Sequence, residues 1–419
     1  MECQDRVTSR RNQNVAVLLG LLVLASSVVY INKAVTSVHT WQATHWLFAF
    51  HDGYFSRALV GSFIKTFLPQ HYGSYAFISV SAWMVQLLVA TLLAILAYRY
   101  WLIKRDVESL LVGGLLLLSS GTLRYFGMAA GVLDQIGYLL VLLVLIGIWG
   151  LRPKWQWVTV LFASLILVLI HEAFILLIAP VMAASVLVVQ SINMNCKDSN
   201  KLVAVSVCVL VPGAVLASLM LTAGRSDFSE FPAALRHLQE QSDFPVSLYA
   251  LMVQFRDVSA NIGWTTFRLL ETGRIPSVFI AIMVLLPSLI VGLAVVINGF
   301  RLIDRSYGSG SSKLSRFVCL ACCLMPLLLL VIGHDYPRWM ASSILNLFIV
   351  GMTVAIQSAA RDHNPKSSGI DFPLTRWFVG AAIGLSLLTG PVCNMFAPTR
   401  MNVVVWLFRR LLSWLAELS

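Results

Sequence analysis

Long apolar stretches, each about the length of a membrane-crossing helix and parted by short polar knots, are what most limits the folds open to this chain. A helix needs about 20 apolar residues to cross the hydrocarbon core of a bilayer. Runs of this kind fall at 15–32, 75–98, 108–122, 135–150, 156–170, 173–190, 202–223, 277–299, 317–333, 340–358 and 377–393. A transmembrane barrel would show short alternating segments instead, and none is present. Of the 419 residues 58% are hydrophobic and 12% charged, whereas soluble domains carry about 25% charge. The expected fold is all-α: a polytopic transmembrane helical bundle of about 11 spans (10–12), forming a single integral membrane domain over 1–419.

The charges sort by connection. Arg6, Arg10 and Arg11 precede the first run, and Lys104/Arg105, Arg152/Lys154, Lys197/Lys201, Arg301/Arg305/Lys313/Arg316 and Arg361/Lys366/Arg376 fill alternate connections. Basic loops stay cytoplasmic, so the N-terminus is expected inside, and the first run reads as a retained anchor because it is long and lacks a small-residue cleavage site. The net charge of +11 belongs to these loops. It suits membrane lipids and phosphate-bearing substrates; no nucleic-acid motif accompanies it, so nucleic acid is not an expected partner.

The other connections then share the outer side. Residues 33–74 are semi-apolar and read as short interfacial helices. Residues 224–276 mix charge with aromatics and read as a small outer cap. The tail 394–419 places Arg409 and Arg410 among Trp406, Leu411 and Trp414 and reads as an amphipathic interfacial helix or a further span. From Trp155 to Gln190 the apolar run is 36 residues, broken only by His171-Glu172. A fifteen-residue half reaches roughly 22 Å, short of the roughly 30 Å core. The His-Glu pair is therefore expected in a recess below the lipid surface.

Five polar knots fall on that side: His51 to Arg57, Arg124 to Asp134, His171-Glu172, 224–275, and His334 to Trp339. Ionisable groups at a bilayer edge are costly and mark functional sites. Asp52, beside Gly53 and Tyr54, can act as a base or ligand, or pair locally with Arg57. Arg57 enters an apolar stretch and needs a carboxylate or phosphate partner. Asp134 opens a span, where capping or function would suit it equally, and Arg124 stands at the other end of that connection. His171-Glu172 begins like a zinc HExxH site, but Ile175 stands where the second His belongs, which excludes that site. His334, Asp335, Arg338 and Trp339 surround Pro337 in a tight turn; they suit a phosphate beside a sugar ring, or a membrane-anchoring belt.

The seven cysteines include a lone CxxC, Cys319 and Cys322, read as buried apolar thiols. Gln86 and Asn346 lie within spans and are expected to bond between helices. No Asn-x-Ser/Thr sequon, Walker A loop, dinucleotide fingerprint or nucleophile elbow occurs.

The stretches D-G-Y-F-x-R-A-L-V-G-S, D-Q-I-G-Y-L-L, H-E-A-F with a later Pro180, and H-D-Y-P-R-W resemble a group of bacterial multispanning proteins of surface-polysaccharide synthesis. The layout also resembles the GT-C class of membrane glycosyltransferases and, in its loop arginines, O-antigen polymerases. The resemblance implies transfer from a polyprenyl phosphate- or diphosphate-linked sugar to an acceptor saccharide or lipid, at the outer face of a bacterial inner membrane. Asp52 matches the position of the serving carboxylate. Catalytic roles would fall to Asp52, His171 and Glu172. Substrate contacts would fall to His51, Tyr54, Arg57, Arg124, Asp134, His334, Asp335, Arg338 and Trp339. The chain lacks the paired acidic motif of many GT-C members, which leaves a divalent cation (Mg or Mn) open. The alternative is a flippase or transporter of lipid-linked saccharides, whose site would lie nearer the midplane.

Overall fold

A computed structural model describes residues 15, 38–54, 56–191, 196–223, 228–255, 263, 275–307, 313–331, 335–361 and 374–389. These residues form helices and turns, with no strand among them. The helices are α1 (Thr40–Thr44), α2 (Leu59–Phe67), α3 (Tyr75–Lys104), α4 (Val107–Leu118), α5 (Leu123–Met128), α6 (Asp134–Gly147), α7 (Pro153–Ile170) and α8 (Phe174–Leu177). They continue as α9 (Ala179–Ser191), α10 (Cys196–Ala223), α11 (Phe231–Glu240), α12 (Leu248–Met252), α13 (Ile275–Tyr307), α14 (Lys313–Leu324), α15 (Tyr336–Arg361) and α16 (Arg376–Thr389).

Eight segments are long and apolar enough to cross a membrane: 75–104, 107–125, 153–170, 174–191, 198–222, 279–304, 313–330 and 336–360. Two shorter apolar helices occupy 134–150 and 376–389. The protein is thus an all-helical membrane protein. Of the eleven expected spans, the first (15–32) lies outside the described residues apart from Val15, as does the tail 394–419.

Local sequence sets the helix starts. Ser74 caps α3 by accepting the Phe77 N–H, Asp106 caps α4 by accepting the Ser109 N–H at 2.7 Å, and Pro153 opens α7, each a favoured N-terminal device. Inside the bundle, α13 lies against α15 through small residues. A Cβ added to Gly351 would stand 2.8 Å from the Val296 nitrogen, so glycine is what lets these two backbones close. Asn346 donates to Leu177 O at 2.8 Å and accepts the Tyr138 hydroxyl at 2.9 Å, and Gln86 donates to Leu123 O. Both bond between segments, as expected. Cys319, Cys322 and Cys323 are buried free thiols.

The 36-residue apolar run is a hairpin. Trp157 Nε1 donates to Gln190 Oε1 at 3.0 Å, and Gln190 Nε2 to Gln156 Oε1 at 2.7 Å. The start of α7 therefore stands beside the end of α9. His171 leaves the helix with extended backbone (φ −161°, ψ 123°), and His171-Glu172-Ala173 form the tip.

At the tip end the loops meet. Trp46 donates its indole N–H to Gly131 O at 2.8 Å, and Thr44 accepts the Ser247 N–H at 2.9 Å. Asp243 accepts the Tyr75 N–H at 2.7 Å and donates its own N–H to Gly73 O at 3.1 Å. Gly73 has φ 81°, and a Cβ there would reach within 1.7 Å of Gln241 O. Only glycine lets the 228–255 segment sit down on this turn. Within 33–74, the described residues differ in burial. α2 exposes Phe63 and Phe67, whereas Leu47, Phe48 and Ala49 are wholly buried. The first stretch is therefore partly a plug in the bundle mouth, because those apolar side chains find a protein core to enter.

Candidate functional site

The chain draws three ionisable constellations to this end of the bundle. The first surrounds Asp52, which ends a short 3-10 turn (Phe50–Asp52) closed by Gly53 in the left-handed conformation. Its Oδ1 accepts from Lys65 Nζ at 2.6 Å and faces His237 Nε2 at 3.1 Å; its Oδ2 accepts from the Tyr72 hydroxyl at 3.3 Å. The carboxylate is 6% exposed. Burial alone would raise its pKa, but the bonds to Lys65 and His237 outweigh it and lower the value. His237 lies on α11, so Asp52 also ties the first loop to the 228–255 segment. The local alternative for Asp52, a pair with Arg57, does not form; Lys65 takes that place.

The second constellation is recessed. Glu172 Oε2 accepts from Ser56 Oγ at 2.6 Å, and its Oε1 accepts from Arg57 Nη2 at 3.3 Å. Arg57 is non-glycine with φ 61°, a strained conformation that tends to occur at functional positions. Its Nη1 lies 3.5 Å from His45 Nε2. Burial would raise the Glu172 pKa, but the facing His171 and Arg57 hold it well below the usual carboxylate range. Burial, with Arg57 beside it, lowers His171, against the pull of Glu172. The His171 Nδ1 accepts the Ala173 N–H at 3.1 Å and stands 3.2 Å from Glu172 Oε2.

The third group adjoins the second. Arg338 forks onto Asp134, Nε to Oδ2 at 2.6 Å and Nη2 to Oδ1 at 2.5 Å, with Asp335 at 3.8 Å from Nη1. Its field reaches both His45 and His171. Asp134 therefore does more than open a helix. Arg124 donates to Ser386 O at 2.6 Å.

Of the expected site residues, the fold brings Arg57, His171 and Glu172 into direct contact and sets Asp134, Asp335 and Arg338 beside them. Asp52 stands apart in its own cluster, a few residues before Arg57 in the chain. His51 is exposed at the turn. Tyr54 is buried and tilted against Phe48 at 5.0 Å, and Trp339 is buried edge-on to Tyr336, so the two expected sugar platforms are packed into protein. His334 lies outside the described residues. Among the described residues, no three His, Cys, Asp or Glu side chains gather as metal ligands.

Sequence reasoning missed Ser56, Lys65, Tyr72, His237 and His45. His45 is 3% exposed, set edge-on to Trp41 and Phe48. Its one signal was an imidazole within an otherwise aromatic and aliphatic stretch. Burial first, then Arg57, lowers its pKa well below the ordinary value. No family model, curated protein or solved structure matches the chain.

Proposed function

We propose that the protein is a membrane glycosyltransferase or polysaccharide polymerase that uses a polyprenyl phosphate- or diphosphate-linked sugar at the outer face of a bacterial inner membrane. The bundle would have about eleven spans and a cytoplasmic N-terminus. The observation that carries the reading is the meeting of Arg57, Glu172 and His171 in a buried group at the tip of the α7–α9 hairpin, reached by the same loop that holds Asp52. A reaction between a lipid phosphate and a sugar hydroxyl needs a carboxylate, a guanidinium and a shielded place beside hydrocarbon.

In this reading Asp52 Oδ2, which among the described residues bonds only Tyr72, takes the proton of the acceptor hydroxyl or orients it. The acceptor oxygen forms the new bond to the sugar C1 while the C1–O bond to the donor phosphate breaks. The electron pair of that bond leaves on the phosphate oxygen, where Arg57 offsets the charge. His171 and Glu172 line the acceptor side. Arg338 serves by fixing Asp134 rather than by gripping phosphate, since its fork is filled.

The test is a transfer assay on the purified chain in lipid nanodiscs with a polyprenyl-diphosphate sugar. Asp52→Asn and Glu172→Gln should each abolish or strongly slow formation of the glycosidic bond while the protein remains folded. Movement of the lipid-linked sugar across the bilayer with no new bond would replace this reading with a flippase.

A further inference from the structure

We infer that the 228–255 segment is a lid: it closes over the Asp52 and Glu172 clusters together and is latched by His237 onto Asp52. This rests on the reading of those two carboxylates as the reacting ones, but the movement itself is measured without any sugar transfer.

The segment is packed onto itself. Phe231 stacks on Phe228 at 5.3 Å and lies edge-on to Phe255 at 5.4 Å, so its two ends stand together. Gln239 donates to Phe244 O at 3.0 Å and accepts the Val246 N–H at 2.9 Å, and Ser242 donates to Phe244 O at 3.0 Å. Compact loops of this build, with joined ends and their own side chains inside, are frequently functional. A unit tied in this way can swing without coming apart.

That one unit reaches both clusters. His237 Nε2 stands 3.1 Å from Asp52 Oδ1, with Gln241 3.0 Å from the same nitrogen. Gln254 donates from Nε2 to Ser56 O at 3.2 Å, and the Ser56 hydroxyl in turn bonds Glu172. With the segment in place the side chains of Asp52 and Glu172 are 6% and 11% exposed. A lipid-linked saccharide is too large to meet either carboxylate through such openings, so the cover has to move for the site to work. Its polar hold on the rest of the described residues includes Asp243 on Gly73 and Tyr75, and Ser247 on Thr44. The His237 bond differs from these in ending on a reacting carboxylate, and its imidazole is half exposed. The contact that shuts the lid therefore competes with whatever Asp52 binds, which couples opening to the arrival of an acceptor.

The test is amide hydrogen exchange on the full chain in nanodiscs, followed at 231–240 and 50–54. His237→Leu keeps the helix and removes the donor; His237→Gln places an amide N–H near the position of the imidazole Nε2. His237→Leu should speed exchange in both stretches about tenfold, the value of one hydrogen bond to a charged group, and His237→Gln should match the parent. A disulfide between Thr44→Cys and Ser247→Cys, in a chain otherwise free of cysteine, should hold the lid down. It should return His237→Leu to the parent rate and block sugar transfer until a reductant opens it. Unchanged exchange in His237→Leu, an equal rise in His237→Gln, a rise spread equally through α13 and α15, or full transfer by the oxidised pair would each overturn the lid. Exchange that follows the expected pattern in a chain that forms no glycosidic bond, oxidised or reduced, would instead sink the transferase reading and leave the lid standing.

Discussion

Arg57 answers Glu172 inside protein, and a buried carboxylate that loses its cation is left uncompensated. Arg57→Met should therefore destabilise the fold by about 3–5 kcal/mol, read as a lowered unfolding temperature in detergent, and Glu172→Gln in that background should recover much of the loss. The two lowered carboxyl pKa values fix a second outcome. Lys65, His237 and Tyr72 face Asp52; Arg57, His171 and Ser56 face Glu172. As pH falls through the ordinary carboxylate range near about 4, the unfolded chain binds protons before these two native groups do. The stability they lend is thus full above that range and is lost as pH drops through the depressed native values. Unfolding temperatures measured from pH 7 downward should fall at the acid end, and less steeply in Asp52→Asn. At this scale the sequence marked Asp52, Arg57, His171 and Glu172 because ionisable groups stand out against apolar surroundings. Their pairing was hidden, because Lys65, His237 and His45 reach them only through the fold.

Helix starts are joined by charge at the mouth of the bundle. The Asp134–Arg338 fork links the first turn of α6 to the first turn of α15, and both partners are buried. Asp134→Asn should cost about 3–5 kcal/mol for the stranded guanidinium. Arg338→Lys should also destabilise, because an ammonium cannot fill both carboxylate oxygens in the plane of the fork; thermal unfolding of both variants checks this. The seating of the 228–255 segment has its own switch-like dependence on one residue. Gly73→Ala adds a Cβ that collides with Gln241 O and strains a positive φ. The segment should lift, and trypsin should cut at Arg236 faster than in the parent. Hydropathy found the helices well, since spans of this length are set by composition alone. It did not separate Trp46 to Ala49, which are buried in protein, from the rest of 33–74, because burial against protein and burial against lipid have the same apolar signature.

Across the whole molecule the polar knots that the sequence placed on one side do meet at one end, joined by bonds from the first loop to Gly131, Glu172, Ser247 and His237. Among the described residues, Lys104, Arg152 and Arg361 stand at the far ends of α3, α7 and α15. In a chain stripped of its native cysteines, single cysteines at His51 and His237 should react with an impermeant maleimide added to one side of sealed vesicles. Those at Lys154 and Lys201 should react only from the other. Shared reactivity of all four would break the alternation of the helices. One further consequence follows from the brevity of α7. Eighteen residues rise about 27 Å against a hydrocarbon slab of about 30 Å. A bilayer that thins to meet so short a helix would form a dimple beside the hairpin, and a lipid drifting into it would lower its headgroup to the level of Glu172 without lifting its tail out of the oil.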